Sequence, residues 1–309
     1  MEVASVLREV MEAMEVLESP HASGDDVAAW LRRWGAEEVQ VVRVNGEAGS
    51  TDFVKVRIPG HGRGPTLGVI GRLGGVGARP SRLGLVSDAD GAIVALACAA
   101  KLVRMASSGD VLPGDVLVAT HICPNAPIIP HEPTPFMDAP VDMVTMNRYE
   151  VDSAMDAILS VDATKGNWVI NRRGFAISPT VKEGYILRTS EDLLEIMRYV
   201  TGEPPVVFPI TTQDITPYGN GIHHLNSILQ PATATAAPVV GVATTAAIPV
   251  PGCATGANHP LDLELAARFC VEVAKAFTSR ECRFYDPEEF SRLLALYGPL
   301  SHLQTLGKA

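Results

Sequence analysis

The chain has 309 residues, 47% hydrophobic and 19% charged, which suits a substantial buried core and excludes a disordered polypeptide. Its net charge of -10 argues against nucleic acid and anionic membranes as partners, because both reward a basic surface.

In chain order, Val3, Val6, Leu7, Val10, Met14 and Leu17 fall at helical spacing and predict a first helix over 3–17. This stretch is acidic and amphipathic, without the basic and apolar regions of a secretion signal. Ser23 reads as the N-cap of a second helix that carries Val27, Trp30, Leu31 and Trp34 on one side and closes at Gly35. Val39–Val44 and Phe53–Ile58 predict a pair of strands, and Thr66–Ile70 a buried one. A Gly-rich loop follows, then Leu83–Val86, and Ser87-Asp88-Ala89-Asp90-Gly91 leads into an apolar helix over Asp90–Ser107. Val116–Ala119 is another buried strand, and Pro124–Pro140 a loop with six prolines, too long to be idle in a compact protein. Met143–Met146, Ala157–Val161, Val206–Ile210, Val239–Val242 and Ala246–Val250 are predicted strands. Ser190–Tyr199, Pro260–Phe277 and Pro287–Leu296 are predicted helices. Continuously apolar strands alternating with helices predict an α/β three-layer sandwich around a mixed, mostly parallel sheet, in a single domain spanning 1–309. Ala232–Val250 could be core or a contact between subunits of a homo-oligomer.

The five cysteines, at 98, 123, 253, 270 and 282, form no CxxC pair and suit a reduced, cytoplasmic compartment. No window reaches the roughly twenty uninterrupted apolar residues that a transmembrane helix needs.

In an open α/β sheet, ligands bind beyond the carboxyl ends of the strands. Asp88, His121, Cys123, Asp162 and His259 all fall at such places. Asp, His, Asp and His make up a donor set from which a zinc site can be assembled. Each has a plainer reading, as a helix cap, a turn residue or a structural histidine, and Asp90 competes with Asp88 as the functional acid. A second group, Asn220-Gly221-Ile222-His223-His224, lies in a Gly-rich turn. Adjacent histidines diverge on a helix, so only one of the two can reach a shared site. The Pro-rich loop carries His131, Glu132 and Asp138 and could close over the site or reach a neighbouring subunit.

The order is strand, Gly-rich loop, Asp-x-x-Gly into a helix, a strand ending in Val-Asp, and Pro-Gly-x-x-x-Gly-x-Asn-His before the last long helix. It resembles the co-catalytic zinc aminopeptidases and carboxypeptidases. The closer match is to an uncharacterised bacterial family designated domain of unknown function 1177, which looks like a reduced relative of those peptidases. The resemblance implies that Asp88 matches the metal-bridging carboxylate, Asp162 a second Asp ligand and His259 the final His ligand. It implies a site beside Asn220, His223 and His224 for substrate, and no inserted lid, since fifteen residues separate Arg72 from Asp88. The chain departs from the pattern where Arg72 stands at the first His position and Gly74 at its supporting Asp. It departs again at Thr120-His121-Ile122-Cys123, which contains no Glu. Arg72 would then bring a fixed charge to the vacated cation position and pair with Asp88 or Asp162. His121 could replace the missing base, or serve as a ligand.

These residues support three readings. The first is a hydrolase of an amide bond in a small peptide-like or cyclic substrate, with one divalent ion, such as zinc, held by Asp88, His259 and Asp162 or His121. The second is a peptidase-fold binding or regulatory protein that has lost catalysis. The third is metal-independent chemistry at Cys123 with His121 or His131 as base.

Overall fold

A computed structural model describes residues 5–211 and 225–305. Two helices open the chain, α1 (Leu7–Glu18) and α2 (Gly24–Arg33). The first buries the face that carries Val10, Ala13 and Leu17. Ser23 caps the second in a reciprocal box: its Oγ accepts from Asp26 N at 3.2 Å, and Asp26 Oδ2 accepts from Ser23 N at 3.1 Å. Next come β1 (Glu38–Gly46), β2 (Gly49–Ile58), β3 (Leu67–Gly71), α3 (Asp90–Ser107), β4 (Val116–Ile122) and the short strands β5 (Ile128–Ile129) and β6 (Phe136–Met137). They are followed by α4 (Met143–Glu150), β7 (Ala157–Ala163), β8 (Gly174–Ile177), β9 (Val181–Lys182), β10 (Tyr185–Ile186), α5 (Glu191–Thr201), β11 (Val239–Thr245), α6 (Pro260–Thr278) and α7 (Pro287–Tyr297).

The main sheet runs β1-β2-β4-β3-β7-β11-β9-β10, with β8 also pairing to β11. The four central strands β4, β3, β7 and β11 are parallel, and their neighbours on both sides are antiparallel. On one face α3 packs across β3, β4 and β7, flanked by α1 and α6. On the other lie α4 and a 3-10 segment, Ser227–Thr233. Alternation along each strand divides the core accordingly: Leu67, Val69, Leu159 and Val161 join the α3-side cluster, while Ile70 and Ile158 join the opposite one. Among the described residues no helix is long and apolar enough to cross a membrane.

Three predicted strands are corrected. Met143–Met146 lies in α4, because Asp142 Oδ1 accepts from Thr145 N at 2.7 Å and caps a helix there. A four-residue apolar run does not distinguish the two states by itself. Val206–Ile210 is extended but only tacked to the end of β8, through Phe208 N to Ile177 O at 3.0 Å. Ala246–Val250 is loop, joined to Asn171 by one isolated bridge. Leu83–Val86 is also loop, so Asp88 sits in a 3-10 turn, Ser87–Ala89, rather than at a strand end. The Ala232–Val250 region contributes β11, which is buried along its whole length.

Candidate functional site

The register of the central strands builds the site. Gly71 lies opposite Thr120 on β4 and Val161 on β7. One position further, Arg72, His121 and Asp162 fall in one row at the carboxyl ends of three adjacent strands, and Arg72 N donates to Val161 O at 2.7 Å. By strand alternation this row faces α4 rather than α3. The N-terminal end of α3 abuts it closely. A Cβ on Gly91 would lie 2.3 Å from Arg72 O and 2.6 Å from Val161 O, so only glycine fits there.

Arg72 is fully enclosed, and its partner is neither Asp88 nor Asp162. Nη1 pairs with Glu150 Oε2, and Nη2 donates to Asn147 Oδ1 at 2.6 Å. Glu150 Oε1 sits 2.8 Å from His121 Nδ1. Asn147 and Glu150 stand three residues apart on α4 and so share one face of it. The expected pairing of Arg72 with Asp88 or Asp162 is thus corrected: a buried guanidinium needs a buried carboxylate, and Glu150 is the one within reach. Burial alone would raise the Glu150 carboxyl. The Arg72 charge and the contact with His121 outweigh that and hold it below the usual carboxylate range. Phe53 packs against the His121 ring at 5.4 Å and stacks on Tyr149 at 4.8 Å. Among the described residues, Arg72 Nε, His121 Nε2 and Ser160 Oγ are buried on this face with no hydrogen-bond partner.

Asp88 approaches from the turn before α3. Its Oδ2 accepts from Gly74 N at 2.5 Å and Gly75 N at 3.1 Å. Burial pushes its carboxyl up to about 7 against the lowering effect of those two amides and of His121. Asp90 points into a different cluster. It pairs with Lys165 Nζ at 2.5 Å and accepts from Thr244 Oγ1 and Asn258 Nδ2, both at 2.7 Å. These contacts tie the start of α3 to the loops after β7 and β11, so Asp90 has a structural role and Asp88 is the acid left for the site. Asp162 Oδ1 accepts from Ala163 N at 2.7 Å. His259 is half-buried at the N-cap of α6, and its side chain does not cap the helix.

The remaining predicted site residues are dispersed. The Cys123 thiol donates to Asn125 Oδ1 at 3.3 Å, and burial raises its pKa, so it is not paired with His121. His131 Nδ1 lies 3.3 Å from Thr134 O, and its ring meets Phe136 edge-on at 5.0 Å. The Pro-rich loop that carries it lies over Asp88. Gly252 N donates to Pro135 O at 3.2 Å, and Met137 and Asp138 press on Gly74. Asn220, His223 and His224 lie outside the described residues. Among the described residues no three His, Cys, Asp or Glu side chains are grouped to hold a metal ion. As they stand, these donors do not fit a divalent ion. The sequence reading missed Glu150, Asn147, Ser160 and Lys165. The first two could have been found only by reading residues 143–150 as a helix, which places an Asn and a Glu on one face.

Solved structures share this architecture. Bottromycin maturation enzyme BotP superposes with a TM-score of 0.54 at 15% identity, over 88% of this chain and 69% of that one. BotP in complex with Mn gives 0.54 at 16%, over 88% and 70%. Caenorhabditis elegans leucine aminopeptidase LAP1 gives 0.54 at 14%, over 89% and 66%. At such identities the likeness establishes the fold alone. Among curated proteins none matches the sequence. The chain belongs to the family described as a protein of unknown function (DUF1177), whose model matches residues 42–307.

Proposed function

We propose that the protein hydrolyses an amide bond in a small peptide-like or cyclic amide substrate of the cytoplasm, at the carboxyl edge of β4, β3 and β7. The observation that carries this reading is a bare imidazole nitrogen. Among the described residues His121 Nε2 is buried and without a hydrogen-bond partner, in the row that also holds Arg72 and Asp162, with Asp88 on the adjoining turn. In this role His121 accepts the proton of the attacking water. Burial raises the Asp88 carboxyl, so in this role it returns a proton to the leaving amine.

The test is hydrolysis of dipeptides, N-acyl amino acids and cyclic imides, with and without EDTA. Turnover that survives EDTA and is abolished in His121→Gln supports the reading; no turnover on any of the three classes refutes it. Stoichiometric zinc or manganese in protein purified without chelator, lost in Asp88→Ala and His259→Ala, would instead favour a one-ion centre on Asp88, Asp162 and His259.

One observation favours a second reading, a binding protein without catalysis. Arg72 and Glu150 satisfy each other in a buried ion pair that needs no reaction to explain it. Calorimetric binding of peptide-like ligands that emerge unchanged would select this reading.

A further inference from the structure

We infer that Glu150 is a positioning residue, which fixes His121 in the tautomer with its proton on Nδ1 and leaves Nε2 as a lone-pair acceptor at the carboxyl end of β4. The inference rests on the proposed hydrolysis only for what that lone pair is for; the tautomer follows from the geometry.

Glu150 divides its two oxygens, Oε2 to Arg72 and Oε1 to His121 Nδ1 at 2.8 Å. An oxygen engaged by a guanidinium has no proton to share, so Glu150 only accepts. At 2.8 Å a proton must lie between Oε1 and Nδ1, since two lone pairs would repel, and the ring has to supply it. The Nε2 side then decides between neutral ring and imidazolium. His121 is 0% exposed and, among the described residues, Nε2 has no hydrogen-bond partner. An N–H there would be a buried, unsatisfied donor on a charged ring, whereas a bare lone pair forgoes only one weak acceptance. The groups facing the ring come from each packed element, and of them the cation favours a neutral ring. β2 contributes the apolar Phe53, α4 contributes Glu150, the position after β3 contributes the cation Arg72, and the turn before α3 contributes Asp88.

Both ends of the relay are pinned. Arg72 is held by Asn147 as well as Glu150, and Asn147 Nδ2 donates in turn to Thr233 Oγ1 at 3.2 Å. Glu150 therefore cannot swing away from the ring without unpairing a buried guanidinium. The arrangement is the orienting half of a carboxylate–imidazole dyad, built from a helix residue and a strand residue 29 positions apart.

The test is long-range 1H–15N correlation on protein labelled with 15N-histidine, with His121→Gln to assign the signal. In the native protein His121 should show a protonated Nδ1 and a bare Nε2 near neutral pH. Glu150→Gln should reverse this. Arg72 would claim the carboxamide oxygen, the carboxamide NH2 would turn to Nδ1, and the ring proton would move to Nε2. If Glu150→Gln alone does not fold, Arg72→Met/Glu150→Asp, which keeps a carboxylate without the cation, should retain the native tautomer. A native ring protonated on Nε2, or on both nitrogens, overturns the inference, as does an unchanged tautomer in Glu150→Gln. Where a substrate is hydrolysed, Glu150→Gln should lower kcat at least tenfold with KM little changed. Absence of hydrolysis would defeat the proposed function and leave the tautomer result standing.

Discussion

Removing the Arg72 charge tests whether the buried network works as one unit. In Arg72→Met the Glu150 carboxylate would remain fully enclosed with only His121 to face it. Breaking a buried ion pair from one side costs roughly 3–5 kcal/mol, because the surviving charge cannot be hydrated. Over 309 residues the unfolding entropy is about 0.65 kcal/mol/K, so that loss corresponds to a fall in Tm of about 5–8 °C. Removing both charges in Arg72→Met/Glu150→Met leaves no stranded ion. Its cost should fall below the sum of the two single variants by at least about 2 kcal/mol. Urea denaturation followed by circular dichroism, run as a double-mutant cycle, measures that difference. Additive single variants, or an Arg72→Met protein within about 1 kcal/mol of the native one, would show that the pair does not hold the site together.

Three other outcomes are expected. Burial raises the folded pKa of the Asp88 carboxyl from the ordinary 3.8 to about 7, so the native state loses stability as pH climbs from about 4 to about 7 and the loss levels off above that. Asp88→Asn keeps an oxygen for Gly74 and Gly75, and its stability relative to the native protein should rise across that window by up to about 4 kcal/mol in pH-resolved denaturation. Glu150 runs the other way. Its depressed folded pKa means a contribution fully present above the ordinary Glu range and lost as pH falls through the folded value, so Glu150→Gln should flatten the acid limb of the stability curve. Gly91→Ala should fail to fold, or lose more than about 3 kcal/mol, because its Cβ would overlap the backbone oxygens of Arg72 and Val161; thermal melting of the soluble fraction reads this directly.

The parts of the fold legible in the chain are those with strong local signals. Ser23 and Ser190 mark two helix starts, and the continuous apolar runs at 67–70, 157–161 and 239–242 mark parallel strands buried on both faces. The site was half legible. Arg72, His121 and Asp162 are conspicuous as polar residues at strand ends, and one row of the sheet holds them all. Glu150 was missed because its helix is short and begins in a run, Met143–Met146, whose periodicity suits a strand equally well. Cys123 is legible as a residue past the end of β4, but the Asn125 contact that its thiol takes is not.

By itself, the sequence determined the architecture and the choice of strand ends that carry charge, since apolar period and capping residues act over a few positions. Only the tertiary structure decided which charges meet. Partners for Arg72 and Asp90 are drawn from 78 and 154 positions away, and burial makes each of them choose whichever opposite or hydrogen-bonding group the packing brings within about 3 Å.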